Sequence, residues 1–122
     1  MHALRSPHDA YSRVEFNARV AGASAAELVL VCYDQLSAAL AKAMRAAAAG
    51  NNQLKSEALT RAVSALTALQ LGVDPNQPIA ASLLQFYAAA RKTVLDSVLR
   101  FDAGAVEALR RDIGEIAQAM RS

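Results

Sequence analysis

The residues from Leu28 to Tyr33 are apolar without a break, and after them the pattern settles to one apolar position every three or four residues. Val29, Tyr33, Leu36, Leu40 and Met44 share the period of a single stripe on an α-helix. Ser24 and Glu27 have the spacing of a capping box, in which the serine oxygen takes the amide three residues on and the glutamate reaches back to the serine amide. Gly50-Asn51-Asn52 supplies a left-handed stop. The pattern predicts a helix from Ser24 to about Ala49, a rod of ~39 Å. Over its first turn and a half the apolar side chains point all round it, so one neighbour cannot cover them. Either the bundle together with a further segment of the same chain, or a partner, must do so.

Three more helices follow. Leu54, Leu59, Ala62, Val63, Leu66 and Leu69 predict the second, ended by Gly72 and then Pro75 and Pro78, with Glu57 and Arg61 as a solvated pair four apart. Pro78 is expected in the first turn of the third, with Asn76 or Gln77 near its cap. The stripe of this third helix reads Ile79, Leu83, Phe86 or Tyr87, Ala90, Val94, Val98 and Phe101. Asp102 is a natural cap for the fourth, whose Val106, Leu109, Ile113, Ile116 and Met120 form a coiled-coil-like seam, with Glu107, Arg111 and Glu115 outside as i,i+4 ion pairs. Ahead of these, Ser6-Pro7-His8-Asp9 starts a short helix with Tyr11, Val14 and Ala18 on one face, joined to the long helix by Ala21-Gly22-Ala23. A helix of that length is not stable alone in water, so it docks on the rest or frays. The expected fold is all-α: one domain over 1–122, an antiparallel up-down four-helix bundle over 24–121 with a short N-terminal helix (6–20) laid across it as a cover.

Composition narrows the class without changing it. The chain has 122 residues, 5% aromatics, no tryptophan, 5 glycines and 3 prolines, a balance that offers strands almost nothing. Its net charge of +2 is spread without a basic run, so neither nucleic acid nor an anionic membrane is implied. The single Cys32 lies in the most apolar stretch and reads as a buried thiol. No apolar run approaches the ~20 residues that span a bilayer, and the first residues lack a signal-peptide core, so a cytosolic product is expected.

A search for reactive groups finds little. His2 and His8 have no second ligand at metal spacing, no inward Glu-x-x-His pair exists, and there is no glycine-rich phosphate loop. The serines lack a histidine base, and Asp34, Asp96 and Asp112 have no paired carboxylate. No catalytic residue, metal ligand or cofactor is assigned, and the chain is read as a non-enzyme. Its apolar surplus fits a receptor for amphipathic helices of another protein. The alternative is a structural helical module that homodimerises or acts as an adaptor through the same surface.

Ala10-Tyr11-Ser12-Arg13-Val14, then Arg19-Val20-Ala21-Gly22-Ala23-Ser24, then Glu27-Leu28 and Tyr33-Asp34, resemble the N-terminal half of the FliS-type flagellin export chaperones. Leu59-Thr60-Arg61-Ala62-Val63 is similar to that family's "LSKAI" helix. Phe86-Tyr87 to Val94-Leu95, with Leu99-Arg100 and Asp102, resembles its "LYDY..RRLL..N" helix and following loop. The likeness runs from Ala10 to about Met120. It departs at Ala88-Ala89, at Gln35 where a glycine is usual, at Arg91-Lys92 in place of an arginine pair, and in the absence of a C-terminal tryptophan.

This resemblance implies a helical bundle that binds the C-terminal segment of flagellin in the cytosol, prevents its early polymerisation and brings it to the flagellar type III export apparatus. It implies that Tyr11 and Val14 belong to a groove-occupying N-terminal cover. On this view Leu28, Val31, Leu36, Leu83 and Tyr87 are candidates for the groove lining, and the protein is a monomer or weak homodimer.

Overall fold

Four α-helices make up the described residues, 25–121, of the computed structural model: α1 (Ala25–Ala48), α2 (Asn52–Leu71), α3 (Ala80–Leu99) and α4 (Ala103–Arg121). The expected N-terminal helix over 6–20, with Tyr11 and Val14, and the Ser24 end of the capping box lie outside the described residues. No strand occurs among the described residues.

The helix ends follow their residue chemistry. Gly50 takes a positive φ of 71°, and the amides of Gly50 and Asn51 turn back to the carbonyls of Ala47 (3.1 Å) and Ala46 (2.9 Å), closing α1 with a Schellman motif. Asn51 then caps α2, its Oδ1 accepting the Leu54 amide at 3.0 Å. One residue thus ends α1 and starts α2. Asp102 does the same service for α4, accepting the Ala105 amide at 3.0 Å.

The start of α3 departs from expectation. The helix begins at Ala80 rather than around Pro78, and Ile79 at its cap has no side-chain cap bond. Asp74 explains the delay: its Oδ1 accepts the Asn76 amide (2.9 Å) and its carbonyl accepts the Gln77 amide (3.1 Å), so Asp74-Pro75-Asn76-Gln77 closes into a turn. Asn76 and Gln77 serve that turn instead of capping the helix.

α1 packs most closely on α2 and also on α4, α2 packs on α3, and α3 and α4 touch only slightly. Asp34 near the start of α1 pairs with Arg121 at the end of α4 (2.8 Å), and Tyr33 meets Tyr87 in the first half of α3, so α1 runs with α3 and against α4. This is an up-down four-helix bundle with α1 and α3 on one diagonal. The α1–α2 contact is intimate because small residues line it: Ala39, Ala43 and Ala46 on one helix, Ala58, Ala62 and Ala65 on the other, all buried. Leu36, Leu40, Leu59, Leu66, Val94, Val106 and Ile113 fill the interior.

The seams are shifted slightly from those expected. On α3 the inward positions are Ala80, Leu83, Tyr87, Ala90, Val94 and Ser97, followed by half-buried Phe101 in the loop after the helix, while Ile79 and Val98 are exposed. Ser97 therefore takes the interior place expected for Val98, because only its position continues the three-four period set by Tyr87, Ala90 and Val94. On α4 Val106, Leu109, Ile113 and Ala117 are buried, Ile116 is half-buried, and Met120 at the helix end is largely exposed. Glu107 pairs mainly with Arg110, whose Nε and Nη2 each donate at 2.8 Å, and only loosely with Arg111 at 3.9 Å. The three-residue spacing brings Arg110's planar fork square onto the carboxylate. Glu57 accepts a bond from Gln53 at 3.3 Å.

Cys32 is buried and free, and burial pushes its thiol up to about 11. Tyr33 and Tyr87 are both buried, and burial raises both phenols above their ordinary value. All three groups are held neutral in the folded state, so their share of stability is complete below the ordinary thiol value and is lost as pH rises. Denaturant midpoints should be flat to about pH 9, fall from there toward 11 as unfolded Cys32 ionises, and fall further above about 10 as the tyrosines join. In Cys32→Ala the onset of the fall should move up to about pH 10.

Candidate functional site

Once six positions of α3 turn inward, the helix still holds apolar residues that no neighbour among the described residues covers. Leu84 is 40% exposed, Leu95 45%, Val98 44% and Leu99 92%, and Ile79 just ahead of the helix is 58% exposed. Leu84, Ala88, Arg91, Leu95 and Val98 recur at intervals of four, three, four and three, which is a second complete helical stripe about one position round from the buried one. Its length is ~21 Å. α3 is thus amphipathic in neither sense: it carries one apolar stripe for the core and another for the surface.

The second stripe borders the groove between α2 and α3. Half-buried Arg91, in its middle, reaches across that groove, its Nη1 donating to Thr67 Oγ1 at 3.3 Å. Thr67 in turn donates to the Val63 carbonyl at 2.9 Å. The residues one turn either side of Thr67 on α2, half-buried Val63 and exposed Leu71, border the same groove. Lys92 and Asp96 pair with each other at 2.8 Å on the solvent side of α3.

At the start of α1, Leu28, Val29, Leu30 and Val31 are half-buried and pack against the core, while Cys32 and Tyr33 are enclosed. The bundle therefore covers the unbroken apolar run in part. The Tyr33–Tyr87 contact puts this run and the first half of α3 at the same end of the molecule. That end also carries Leu71, Ile79, Leu84 and Met120.

Of the residues nominated from sequence, Leu28, Val31 and Leu83 are half-buried and keep some surface. Leu36 is wholly enclosed, and Tyr87 is 2% exposed with its hydroxyl 2.5 Å from that of Tyr33. These two offer no surface to a partner in this conformation. Tyr11 and Val14 lie outside the described residues. Sequence reasoning did not nominate Leu84 or Leu95 for the site, and it placed Val98 on the inward stripe. The signal was present, because leucines left over after a three-four seam is assigned must face somewhere, and here they face water.

Among the described residues there is no group of three or more His, Cys, Asp or Glu able to hold a metal, and no helix is long and apolar enough to cross a membrane. The chemistry the face offers is apolar contact, about 1 to 2 kcal/mol for each half-exposed leucine that a partner covers. Several such contacts spread along a smooth helix give reversible binding rather than one deep anchor.

Two comparisons with known proteins bear on the chain as a whole. The family profile described as "Flagellar protein FliS" matches residues 7–122. The flagellar secretion chaperone FliS of Salmonella typhimurium is 30% identical over 115 residues, covering 92% of this chain and 85% of that protein.

The double variant Leu84→Asp/Leu95→Asp should bind less of a hydrophobic dye such as ANS than the parent while keeping its helicity, with a denaturation midpoint changed by no more than about 0.5 kcal/mol equivalent per site. A collapse of helicity would show that these leucines belong to the core.

Proposed function

Because the chain belongs to the FliS family of flagellar proteins, we propose that it is a flagellar export chaperone whose client is the C-terminal amphipathic helical segment of flagellin. The family match over nearly the whole chain supports the chaperone role, and one physical observation supports the mode of binding: the surplus apolar stripe on α3. A client that assembles through helical coiled-coil contacts exposes apolar stripes before export, and such a stripe finds its complement in an exposed stripe of equal period.

The face bordered by α2 and α3 holds the client through Leu84, Leu95 and Val98, and the partly covered run at Leu28 and Val31, with Leu83, extends the contact toward the start of α1. While held there, the segment cannot pair with other flagellin chains. The modest worth of each contact lets the export apparatus draw the client away without a covalent step. The work is done in the cytosol, before export, and needs neither catalysis nor a cofactor.

Calorimetric titration with a synthetic peptide of the flagellin C-terminal helical segment should show saturable binding with a negative heat-capacity change. No heat and no binding at tens of micromolar peptide would refute the assignment. Sedimentation of the free protein should give mainly monomer, leaving the face open for the client.

A further inference from the structure

The apolar stripe on α3 is interrupted by one charge. Arg91 stands at its midpoint, seven residues from Leu84 and seven from Val98, and no carboxylate pairs with it among the described residues. Its neighbours one turn away on α3 are Tyr87, Ala88, Val94 and Leu95, and those flanking Thr67 on α2 are Val63, Ser64, Gln70 and Leu71, none of them acidic. The neutral hydroxyl of Thr67 takes one of its five donors and pins the arm over the groove.

Any helix that covers this stripe must remove water from the Arg91 guanidinium. A desolvated, unpaired guanidinium costs several kcal/mol, more than any one leucine contact returns, whereas a carboxylate that meets it in a forked pair offsets the loss. A second copy of this chain is a poor occupant. Two copies joined symmetrically through the stripe would bring the midpoints together and set Arg91 against its own mate.

Resting on the client reading above, we propose that Arg91 is a specificity determinant: the bound segment is an amphipathic helix with one Asp or Glu in the middle of its apolar face, flanked by apolar residues about seven positions away on both sides, and that carboxylate pairs with Arg91. The pair fixes the register of two otherwise featureless apolar stripes, which could slide past one another by a heptad.

The test is a titration of the flagellin C-terminal peptide into the full-length protein and its Arg91→Glu, Arg91→Gln and Leu95→Asp variants, at low and high salt. Arg91→Glu should weaken binding about tenfold or more and Arg91→Gln by less, with unchanged helicity, and much of the salt dependence should vanish. Replacing the peptide's acids one at a time by lysine should reveal one that weakens the parent and restores Arg91→Glu. That exchange reads the pair without relying on the folding of any single variant. Unchanged affinity in both Arg91 variants, with loss in Leu95→Asp, would overturn the role of Arg91 while keeping the face as the client site. Unchanged affinity in all three would refute both. A free protein that sediments as a dimer and is split by Leu95→Asp would assign the face to a second copy and overturn the proposal.

Discussion

The contact between the Tyr33 and Tyr87 hydroxyls decides which way α3 faces. α1 and α3 are diagonal in the bundle, and their backbones nowhere come close, so these two side chains supply a hydrogen-bonded link across the centre. A buried phenol without a hydrogen-bond partner is costly, and each tyrosine is the other's remedy. With Tyr87 turned inward, Leu83, Ala90 and Val94 follow it into the core, and Leu84, Ala88, Arg91 and Leu95 are left outside. A rotation of α3 by one position would exchange the stripes, burying the Arg91 guanidinium and stranding two hydroxyls. The apolar face on the surface is therefore a consequence of polar satisfaction within the core. The tilted ring contacts of Tyr87 with Tyr33 and with Phe86, at 6.4 and 5.9 Å, add packing to the same arrangement.

The rest of the bundle makes α3 the helix with surface to spare. α1 and α2 are drawn together by facing alanines, and α4 is held to α1 by its buried seam and by the Asp34–Arg121 pair. The exposed pair is worth little by itself and marks where the end of α4 meets the start of α1. α3 rests on α2 and barely touches α4, so two of its flanks lack close helical neighbours among the described residues. Its solvent side carries polar residues such as Gln85, Lys92 and Asp96, but the flank toward α2 carries leucine, valine and alanine around Arg91, the composition of a face that a partner covers.

The number, order and approximate bounds of the four helices were legible in the sequence because most ends are punctuated by residues with one good use: Gly50 for positive φ, Asp102 as a cap, Gly72 as a stop. The start of α3 was not, because Asp74 competes for the amides that Asn76 and Gln77 bring, and the winner depends on loop geometry. The apolar excess at Leu28 to Tyr33 was visible and is only partly absorbed by the bundle. The surface stripe on α3 was the harder feature. Leu83 and Leu84, or Ser97 and Val98, differ by one position, and composition favours reading Val98 as the inward residue. Only the tyrosine pairing fixes the phase and sends serine in and valine out. Leu36 and Tyr87, candidates for the groove lining on the family resemblance, are enclosed in this conformation.

The central claim is that the client lies along the outer stripe of α3, in the phase set by Tyr87. Methyl-resolved NMR of the protein titrated with the flagellin peptide tests it most directly. The methyls of Leu84, Leu95 and Val98 should shift together and saturate at one affinity, while those of Leu36, Leu59 and Val106 in the interior stay in place. Saturable binding that leaves the α3 methyls unmoved would contradict the account.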